Sequence, residues 1–218
     1  MDREAFLARV RAAVGTGTIP APLTWDRDPP VPSPSGVDLL ERFTDSLESV
    51  DGTVHAAGGL TALDEIVARH GPGPLIAWDD ATLPIAGATE RLIDAGCDRV
   101  GSTVPSDSEG RTAHQGNYFD IRFGLTGAEA AFAESGSIVI RSGPGRPRMA
   151  SLIPLVHIAL LPVDRIFESQ MHWMARGNVD LSGAANVVYV TGPSRTADIE
   201  QHLNLGVHGP RAVHIVIV

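Results

Sequence analysis

The sequence predicts an α/β fold in which a mostly parallel sheet is flanked by helices, and three observations predict it. Short apolar segments alternate with helical patterns from residue 53 to residue 103. Residues 157–161 are almost continuously apolar, which is typical of a strand buried on both faces. Residues 186–218 have the pattern of a strand, a helix and a strand, as in a β-α-β unit.

The N-terminal part precedes this alternation and has a different composition. Residues 2–14 predict a helix, because Phe6, Val10 and Val14 recur at helical spacing. Residues 15–36 contain six prolines, which predict an extended connector without regular structure. We therefore divide the chain into an N-terminal helix with a Pro-rich connector, residues 1–36, and one domain, residues 37–218.

Within the domain, hydrophobic periodicity and turn residues predict the remaining elements. Predicted helices span residues 38–50, 61–70, 83–95, 126–133, 164–176 and 194–203. Predicted strands span residues 53–56, 74–78, 98–103, 137–140, 157–161, 186–191 and 212–218.

Composition excludes several classes of protein. Apolar residues make up 43% of the 218 residues and charged residues 20%, which excludes a mainly disordered chain. A net charge of −9 argues against nucleic acid as a partner. No apolar run approaches the ~20 residues of a membrane-spanning helix, and the acidic start does not fit a secretory signal. We therefore expect a cytoplasmic protein without a transmembrane segment.

The sequence contains a single cysteine, Cys97. It excludes a disulfide within the chain and a cysteine-ligated iron–sulfur cluster held by this chain alone. We expect Cys97 to be a small buried residue at the start of a strand. We expect no cofactor within the chain.

Residues 126–148 organise the predicted site. Glu134 lies at the turn between a predicted helix and a predicted strand, where an exposed carboxylate can act as a nucleophile in acyl transfer. A surface or capping role, or an ion pair with a nearby arginine, fits the same position. Arg146 and Arg148 lie on a Gly- and Pro-rich loop and suit a phosphate or carboxylate. A solvated loop that pairs with local acids is the alternative.

A second anion-binding loop is predicted at residues 191–196, between a strand and a helix. Ser194 and Thr196 supply hydroxyl groups there, Arg195 supplies a cation, and Gly192 belongs to the same loop. The alternative is a plain helix cap. A second basic turn, with Gly209 and Arg211, either meets this loop or lies at the opposite end of the sheet.

Histidines and phosphate motifs add little to the predicted site. We expect His157 to be a core residue at the start of an apolar strand, and the apolar members of residues 171–174 to be core as well. His114 and His208 have better chances of exposure, but no Asp or Cys accompanies them at metal-ligand spacing, so we predict no bound metal. The glycine-rich fingerprints of nucleotide sites are absent from the sequence.

The sequence resembles the LUD-domain family in six ordered motifs, strongly over residues 119–218 and weakly before them. Within the family it is most similar to the lactate-utilisation protein C group. The motifs are Thr126-Gly127-Ala128, Ala133-Glu134-Ser135-Gly136-Ser137, Gly145-Arg146-Pro147-Arg148, Leu155-Val156-His157-Ile158, Thr191-Gly192-Pro193-Ser194-Arg195-Thr196-Ala197-Asp198-Ile199-Glu200 and Gly206-Val207-His208-Gly209-Pro210-Arg211.

The resemblance implies a fold of the CoA-transferase, ribose-phosphate-isomerase and glucosamine-deaminase kind. It also implies that Glu134 corresponds to the catalytic Glu-x-Gly turn of CoA transferases. Proteins of this type belong to a three-protein system that oxidises L-lactate to pyruvate, and iron–sulfur clusters are expected on the partner proteins. The candidate residues for a small anionic ligand are Thr126, Gly136, Arg146, Arg148, Gly192, Ser194, Arg195, Thr196, Gly209 and Arg211.

Three hypotheses for the function remain open. The first is a non-redox subunit of the lactate-oxidising system, which binds a small carboxylate or phosphate or the iron–sulfur lactate-utilisation proteins. The second is a free-standing acyl- or CoA-transferase-like, or ligase-like, enzyme that uses Glu134. The third is a ligand-sensing module with a degenerate site.

Overall fold

The structure is a computed structural model that describes residues 2–14, 38–102, 105–116, 118, 120–176, 179, 181, 183–197 and 203–218. The predicted Pro-rich connector and the side chain of His114 lie outside the described part. In the described ranges, no helix combines the length and the apolar character needed to cross a membrane.

The helices and strands are labelled in chain order. The helices are α1 (Arg3–Val14), α2 (Leu39–Glu48), α3 (Ala62–His70), α4 (Ala88–Asp94), α5 (Ser108–Gly116) and α6 (Gln170–Ala175). The strands are β1 (Thr53–His55), β2 (Pro74–Ala77), β3 (Asp98–Arg99), β4 (Phe123–Gly127), β5 (Ala130–Phe132), β6 (Ser137–Ser142), β7 (Val156–Leu161), β8 (Ile166–Phe167), β9 (Asn186–Val190), β10 (Arg195–Ala197), β11 (Leu203–Leu205) and β12 (Ala212–Ile217).

A six-stranded sheet, in the order β1-β12-β7-β4-β2-β3, forms the centre of the domain. All five strand pairs are parallel. Every residue of β4 and of β7 is buried, as expected for strands with both faces covered. The predicted α/β fold with a mostly parallel sheet is confirmed. Cys97 is buried just before β3, as expected.

A second sheet, in the order β8-β5-β6-β9, was not predicted. It arises because the chain leaves the central sheet after β4, forms the β5–β6 hairpin and returns as β7, beside β4. Helix α2 packs against β8 of this sheet, and its Ser46 hydroxyl donates a hydrogen bond to the carbonyl oxygen of Ala133. A small apolar cluster of Ala130, Phe132, Val139 and Trp173 fills one face.

The predicted helix at residues 126–133 is wrong. Thr126 and Gly127 complete the buried strand β4, and Ala130–Phe132 is strand β5. Alanine favours helices intrinsically, but here Ala130 and Ala131 are fully buried in a strand between β6 and β8, where small side chains are needed. Glu134 therefore lies in a β-hairpin turn and not between a helix and a strand.

The predicted C-terminal β-α-β unit is also wrong. Strand β9 pairs antiparallel with β6 in the second sheet, and the described residues of the predicted helix 194–203 form strands β10 and β11 of a small hairpin. Ser194 explains why no helix starts there. Its backbone N–H donates to the carbonyl oxygen of Pro210, and its own carbonyl oxygen accepts from Gly206, so tertiary hydrogen bonds use the groups that a helix requires.

The predicted helix at residues 164–176 is shortened to α6, which follows Ser169 as its N-cap. Trp173 is buried, but Met171 and Met174 are each 52% exposed, so the expectation of core residues is wrong for both methionines. The other predicted helices and strands are present with shifted ends, and β3 is reduced to two residues. Helix α5 was not predicted.

Candidate functional site

The order in which the chain adds strands to the central sheet changes between the neighbouring strands β2 and β4. From β2 the chain continues to β3 on one side, whereas from β4 it continues to β7 on the other side. In open α/β sheets, ligands bind outside the carboxyl ends of the strands at such a switch point. The carboxyl ends of β2 and β4 therefore form the expected position of a ligand.

One carboxylate at this edge is shared by three guanidinium groups. Glu129 follows β4, and its Oε2 lies 3.4 Å from Nε of Arg141 and 3.8 Å from Nη1 of Arg146. Its Oε1 lies 3.5 Å from Nη1 of Arg165, which also donates to the Glu129 carbonyl oxygen at 3.3 Å. We refer to Glu129, Arg141, Arg146 and Arg165 as the arginine cluster.

A short turn holds Arg146 above the end of β2. The backbone N–H of Asp79 donates to the carbonyl oxygen of Gly145 at 2.7 Å, and the guanidinium carbon of Arg146 lies 5.3 Å from the centroid of the Trp78 ring. Gly145 has a φ of +70°, and a Cβ there would lie 3.0 Å from Oδ2 of Asp79. Glycine at this position therefore lets the turn approach β2 closely.

Trp78 connects this turn to β4. Trp78 is only 3% exposed, and a Cβ on Gly127 would lie 3.4 Å from its Cζ3 atom. Within the described residues its indole N–H has no hydrogen-bond partner. A buried N–H without a partner is costly and is available to a ligand that can reach it.

Two acidic residues, Asp79 and Asp80, follow Trp78 and pair with Arg99. Arg99, at the end of β3, lies 3.2 Å from Oδ2 of Asp80 and 3.9 Å from Oδ1 of Asp79. The pKa of Asp80 is lowered, first by the hydroxyl group of Thr89 and then by Arg99. Asp80 is therefore an anion near neutral pH and adds no general acid to the site.

The arrangement suits an anion with two oxygen atoms in one plane. Guanidinium groups bind carboxylate and phosphate bidentately, and the partial exposure of Arg146 and Glu129, 25% and 28% of their side chains, leaves them accessible. Without counting Arg141, the two positive charges of Arg146 and Arg165 still share the single negative charge of Glu129. The cluster therefore keeps an excess of positive charge in a protein whose net charge is −9.

Glu134 lies outside this cluster. Glu129 precedes β5 and donates its backbone N–H to the carbonyl oxygen of Val139 at 2.8 Å, whereas Glu134 lies in the turn at the opposite end of the β5–β6 hairpin. Glu134 is exposed, and its backbone N–H donates to the carbonyl oxygen of Glu168 at 3.0 Å. Gly136 fixes this hairpin turn against α2, because its φ is +66° and a Cβ there would lie 2.4 Å from the backbone nitrogen of Leu47.

Hydroxyl groups surround the turn that carries Glu134. The hydroxyl of Ser135 donates to that of Ser137 at 2.9 Å, and the Ser137 oxygen lies 2.7 Å from that of Thr191. The Glu134 turn and the start of the 191–196 loop are therefore neighbours. No hydrogen bond in the described part of the chain joins the Glu134 side chain to these hydroxyls.

The 191–196 loop and the 206–211 turn meet, which was one of the two arrangements left open. Ser194 donates to Pro210 at 2.9 Å, and Gly206 donates to Ser194 at 2.8 Å. They meet at the amino ends of the central strands, however, since Arg211 donates to Leu155 just before β7. Arg195 pairs with Asp51. The switch-point argument therefore does not apply to this loop.

The remaining candidate residues lie outside the arginine cluster. Gly192 is buried against α2 and β1, where a Cβ would lie 2.6 Å from the carbonyl oxygen of Val50. Thr196 pairs with Asn204 in the small hairpin, and Gly209 lies against Ser194. Arg148 is exposed, begins a 3-10 turn and makes no ion pair with another described residue.

Thr126 and His157 form a buried pair in the core. Thr126 Oγ1 lies 2.9 Å from His157 Nε2, and both residues are 0% exposed. Burial lowers the pKa of His157 to about 4, so the ring is neutral at physiological pH. His157 is a core histidine, as predicted. Among the described residues, no group of three or more His, Cys, Asp or Glu side chains is arranged to hold a metal ion.

Comparison with known proteins assigns the chain to a family. A family model described as the LUD domain matches residues 40–218. The chain belongs to the LUD-domain family. Lactate utilization protein C of Bacillus subtilis strain 168 is 28% identical, and the alignment covers 99% of this LUD protein and 96% of that relative.

Two other relatives with the same name align over a shorter region. Lactate utilization protein C of Halalkalibacterium halodurans is 34% identical over 164 residues, which cover 72% of this chain and 67% of the relative. The protein of that name from a Geobacillus species is 33% identical over 165 residues, 71% of this chain and 66% of the relative. The aligned region thus covers about two thirds of the length of each of these two relatives.

A solved structure shares the fold of this LUD domain. A DUF162 family protein from Deinococcus radiodurans superposes with a TM-score of 0.55, covering 83% of this chain and 96% of that protein. The identity is 18%, so the similarity concerns the fold alone.

Sequence reasoning missed most of the arginine cluster of this LUD domain. Arg146 was singled out, but Glu129 was placed inside a predicted helix, and Arg141 and Arg165 belonged to no motif. Two signals were available. Trp78 and the acids after it directly follow an apolar strand, and Glu129 follows another. Carboxyl ends of parallel strands meet at one edge of a sheet, which brings such residues together.

Proposed function

We propose that this LUD-domain protein is a non-redox subunit of an L-lactate-oxidising utilisation system and that its arginine cluster binds a small carboxylate. Relatives that carry the name lactate utilization protein C support the role in lactate utilisation. The observation that supports the ligand class is one carboxylate, Glu129, shared by three guanidinium groups at the switch point.

Glu129 acts as the internal partner of the arginines until a ligand arrives. A bound carboxylate takes the place of Glu129 on Arg146, or shares Arg146 and Arg165 with it. L-Lactate and pyruvate each carry one carboxylate and one further oxygen on the adjacent carbon. We assign that second oxygen to the indole N–H of Trp78, which lies under Arg146 and is buried without a partner among the described residues, so a ligand must displace the atoms that cover it.

Electron transfer belongs to partner proteins in this proposal. Oxidation of L-lactate to pyruvate releases two electrons and two protons, so the reaction needs an electron acceptor. The single cysteine of the chain, Cys97, is buried and burial raises the pKa of its thiol, so it is unsuited to a thiolate-ligated cluster. Iron–sulfur lactate-utilisation proteins are therefore the proposed acceptors and binding partners.

Replacing Arg146 with glutamine tests the ligand site. We expect Arg146→Gln to weaken binding of L-lactate and of pyruvate about tenfold or more, because it removes a charge-assisted hydrogen bond. Isothermal titration calorimetry with each compound measures the change. Arg148→Gln is the matched control, because Arg148 lies on the same loop outside the arginine cluster and its replacement removes the same charge.

Glu129→Gln should act in the opposite direction, since it releases the arginines from their internal carboxylate and strengthens binding. Equal affinities in Arg146→Gln, Arg148→Gln and the unaltered protein would show that the arginine cluster is not the binding site for these carboxylates. Growth on L-lactate of cells that lack the protein, complemented with each variant at equal expression, tests the lactate role. Growth without any complementation would rule out that role.

Glu134 supports a second candidate function, an acyl- or CoA-transferase-like enzyme. Its side chain is exposed on a rigid hairpin turn, and hydroxyl groups of Ser135, Ser137 and Thr191 lie next to that turn. If the carboxylate attacks an acyl-CoA, the thiolate of CoA leaves and an acyl-glutamyl anhydride remains on Glu134.

Intact-protein mass spectrometry after incubation with acetyl-CoA tests this second function. The expected result is a mass increase of one acyl group that hydroxylamine removes and that is absent in Glu134→Gln. The Gln variant should fold normally because the side chain is exposed. The same modification in Glu134→Gln, or none in either protein, would reject a catalytic Glu134 in acetyl transfer.

A further inference from the structure

Three histidines from three different elements form a chain across one part of the central sheet. His214 lies within β12, His55 ends β1 and His70 ends α3. Nδ1 of His214 lies 3.1 Å from Nε2 of His55, and Nε2 of His214 lies 3.0 Å from Nε2 of His70. Both ring nitrogens of the central histidine are therefore used.

The neutral form of the chain satisfies these contacts. A neutral imidazole has one N–H donor and one acceptor nitrogen, so three neutral rings form two N–H···N hydrogen bonds when their donors point in the same direction. An added proton brings a positive charge to a place where His214 is 2% exposed. A second added proton would place two imidazolium rings at centroid distances of 5.3 or 5.1 Å, unless they are the two end rings.

The neighbouring charges add to the effect of burial at His70 and His214, whereas at His55 Glu65 outweighs Arg69. The positive charge of Arg69 on α3 lowers the pKa of all three rings. Arg122 donates from Nη1 to the carbonyl oxygen of His70 at 2.7 Å. Glu65 on α3 is the acid that acts on His55, and the Phe123 ring packs edge-on against His70. Two cations and an aromatic ring thus face the chain together with one carboxylate.

Burial is the first cause that lowers the pKa of each of the three histidines. The pKa of His214 falls to about 3, through burial and then through His55, His70 and Arg69. Because these pKa values lie below 6.5, the rings bind protons more tightly once they are released to solvent. The packed arrangement is therefore favoured above pH 6.5 and loses stability as the pH falls below it.

We propose that His55, His70 and His214 form a histidine latch that holds the edge strand β1 and the end of α3 on β12 at neutral pH and releases them on acidification. β1 is a three-residue strand at the edge of the sheet, so its own ladder holds it weakly. In contrast, β7 and β4 are buried along their whole length. Helix α3 leads directly into β2, whose end carries Trp78, so the latch lies one connection away from the candidate site.

Hydrogen–deuterium exchange measured by mass spectrometry tests the latch on the full chain at pH 7.5, 6.0 and 5.0. Rates are corrected for intrinsic pH dependence. For one histidine whose folded pKa is about 3, the open form gains about thirtyfold in population between neutral pH and pH 5. We expect protection in peptides covering residues 53–70 to fall at least tenfold. Peptides from β7 open only on global unfolding and should remain better protected than residues 53–70 at each pH.

Variants at the two half-buried ends keep the test independent of folding problems at the centre. The double variant His55→Gln and His70→Gln retains His214, so residues 53–70 should keep only the part of the pH dependence that comes from the burial of His214, a smaller response than in the unaltered protein. The matched control is His157→Gln, a buried histidine outside the latch, which should leave the local pH dependence unchanged. A full pH response in the double variant, or protection of residues 53–70 equal to that of β7 at each pH, would overturn the proposal.

Discussion

Replacing Gly124 with alanine is expected to lower the free energy of unfolding by about 3 kcal/mol or more. A Cβ at this position would lie 1.9 Å from the carbonyl oxygen of Ala150 and 2.5 Å from Cγ of Pro154. Gly124 is the buried second residue of β4 and pairs with Ile76 and His157 on the two neighbouring strands, so neither the strand nor the turn above it can move away freely. Urea unfolding followed by circular dichroism measures the change.

Gly101→Ala is the matched control for this prediction. Nothing lies within 4 Å of a Cβ built on Gly101, so its replacement should change stability by less than about 0.5 kcal/mol. If both variants unfold at the same urea concentration, the close packing of residues 150–154 on β4 is wrong. A lower free energy of unfolding in the Gly124 variant alone supports the close packing of residues 150–154 on β4.

Acidification should destabilise the whole domain through His157. This ring has a pKa of about 4 when folded and about 6.5 when unfolded, so the unfolded chain binds more protons between these values. Stability is retained above pH 6.5 and falls as the pH decreases towards 4. Between pH 6.5 and pH 5, His157 alone should cost about 2 kcal/mol, a range in which most carboxylates do not yet titrate.

Urea unfolding at pH 7.5, 6.0 and 5.0 measures this dependence. His157→Gln removes the titrating group and retains an amide that can reach the Thr126 hydroxyl, so the slope between pH 6.5 and pH 5 should decrease by the share of His157. Identical slopes in both proteins would show that the ring does not stay neutral on folding. The effect differs from that of the histidine latch, because it concerns global unfolding and not local exchange at residues 53–70.

Strands β2, β7 and β12 of the central sheet were predictable because they are almost continuously apolar, whereas the central strand β4 was not predicted. Residues 74–77, 156–161 and 212–217 have no polar alternation, and burial on both faces follows from that pattern alone. The second sheet was not predictable in this way. Its strands β5 and β8 contain only three and two residues, too few for a period to appear, and Ala130 and Ala131 favour a helix when considered without their neighbours.

The candidate site was predictable in its chemistry but not in its membership. Arg146 stood out because it lies between glycine and proline residues on a loop. Its partners Glu129 and Arg165 are separated by 36 residues, and only the path of the chain through the second sheet brings them together. The anion loop at residues 191–196 was placed at the wrong edge because β9 was assigned to the central sheet.

The excursion that carries Glu129, Arg141 and Arg146 starts at β4 and returns at β7, its immediate neighbour. The two attachment points are adjacent, so the inserted segment can change in length or sequence without altering the order of the central strands. Ligand preference and the architecture of the sheet are thereby separable properties. Exchanging residues 128–155 between family members should transfer the part of the binding preference that Glu129, Arg141 and Arg146 determine, whereas Arg165 and Trp78 remain those of the recipient.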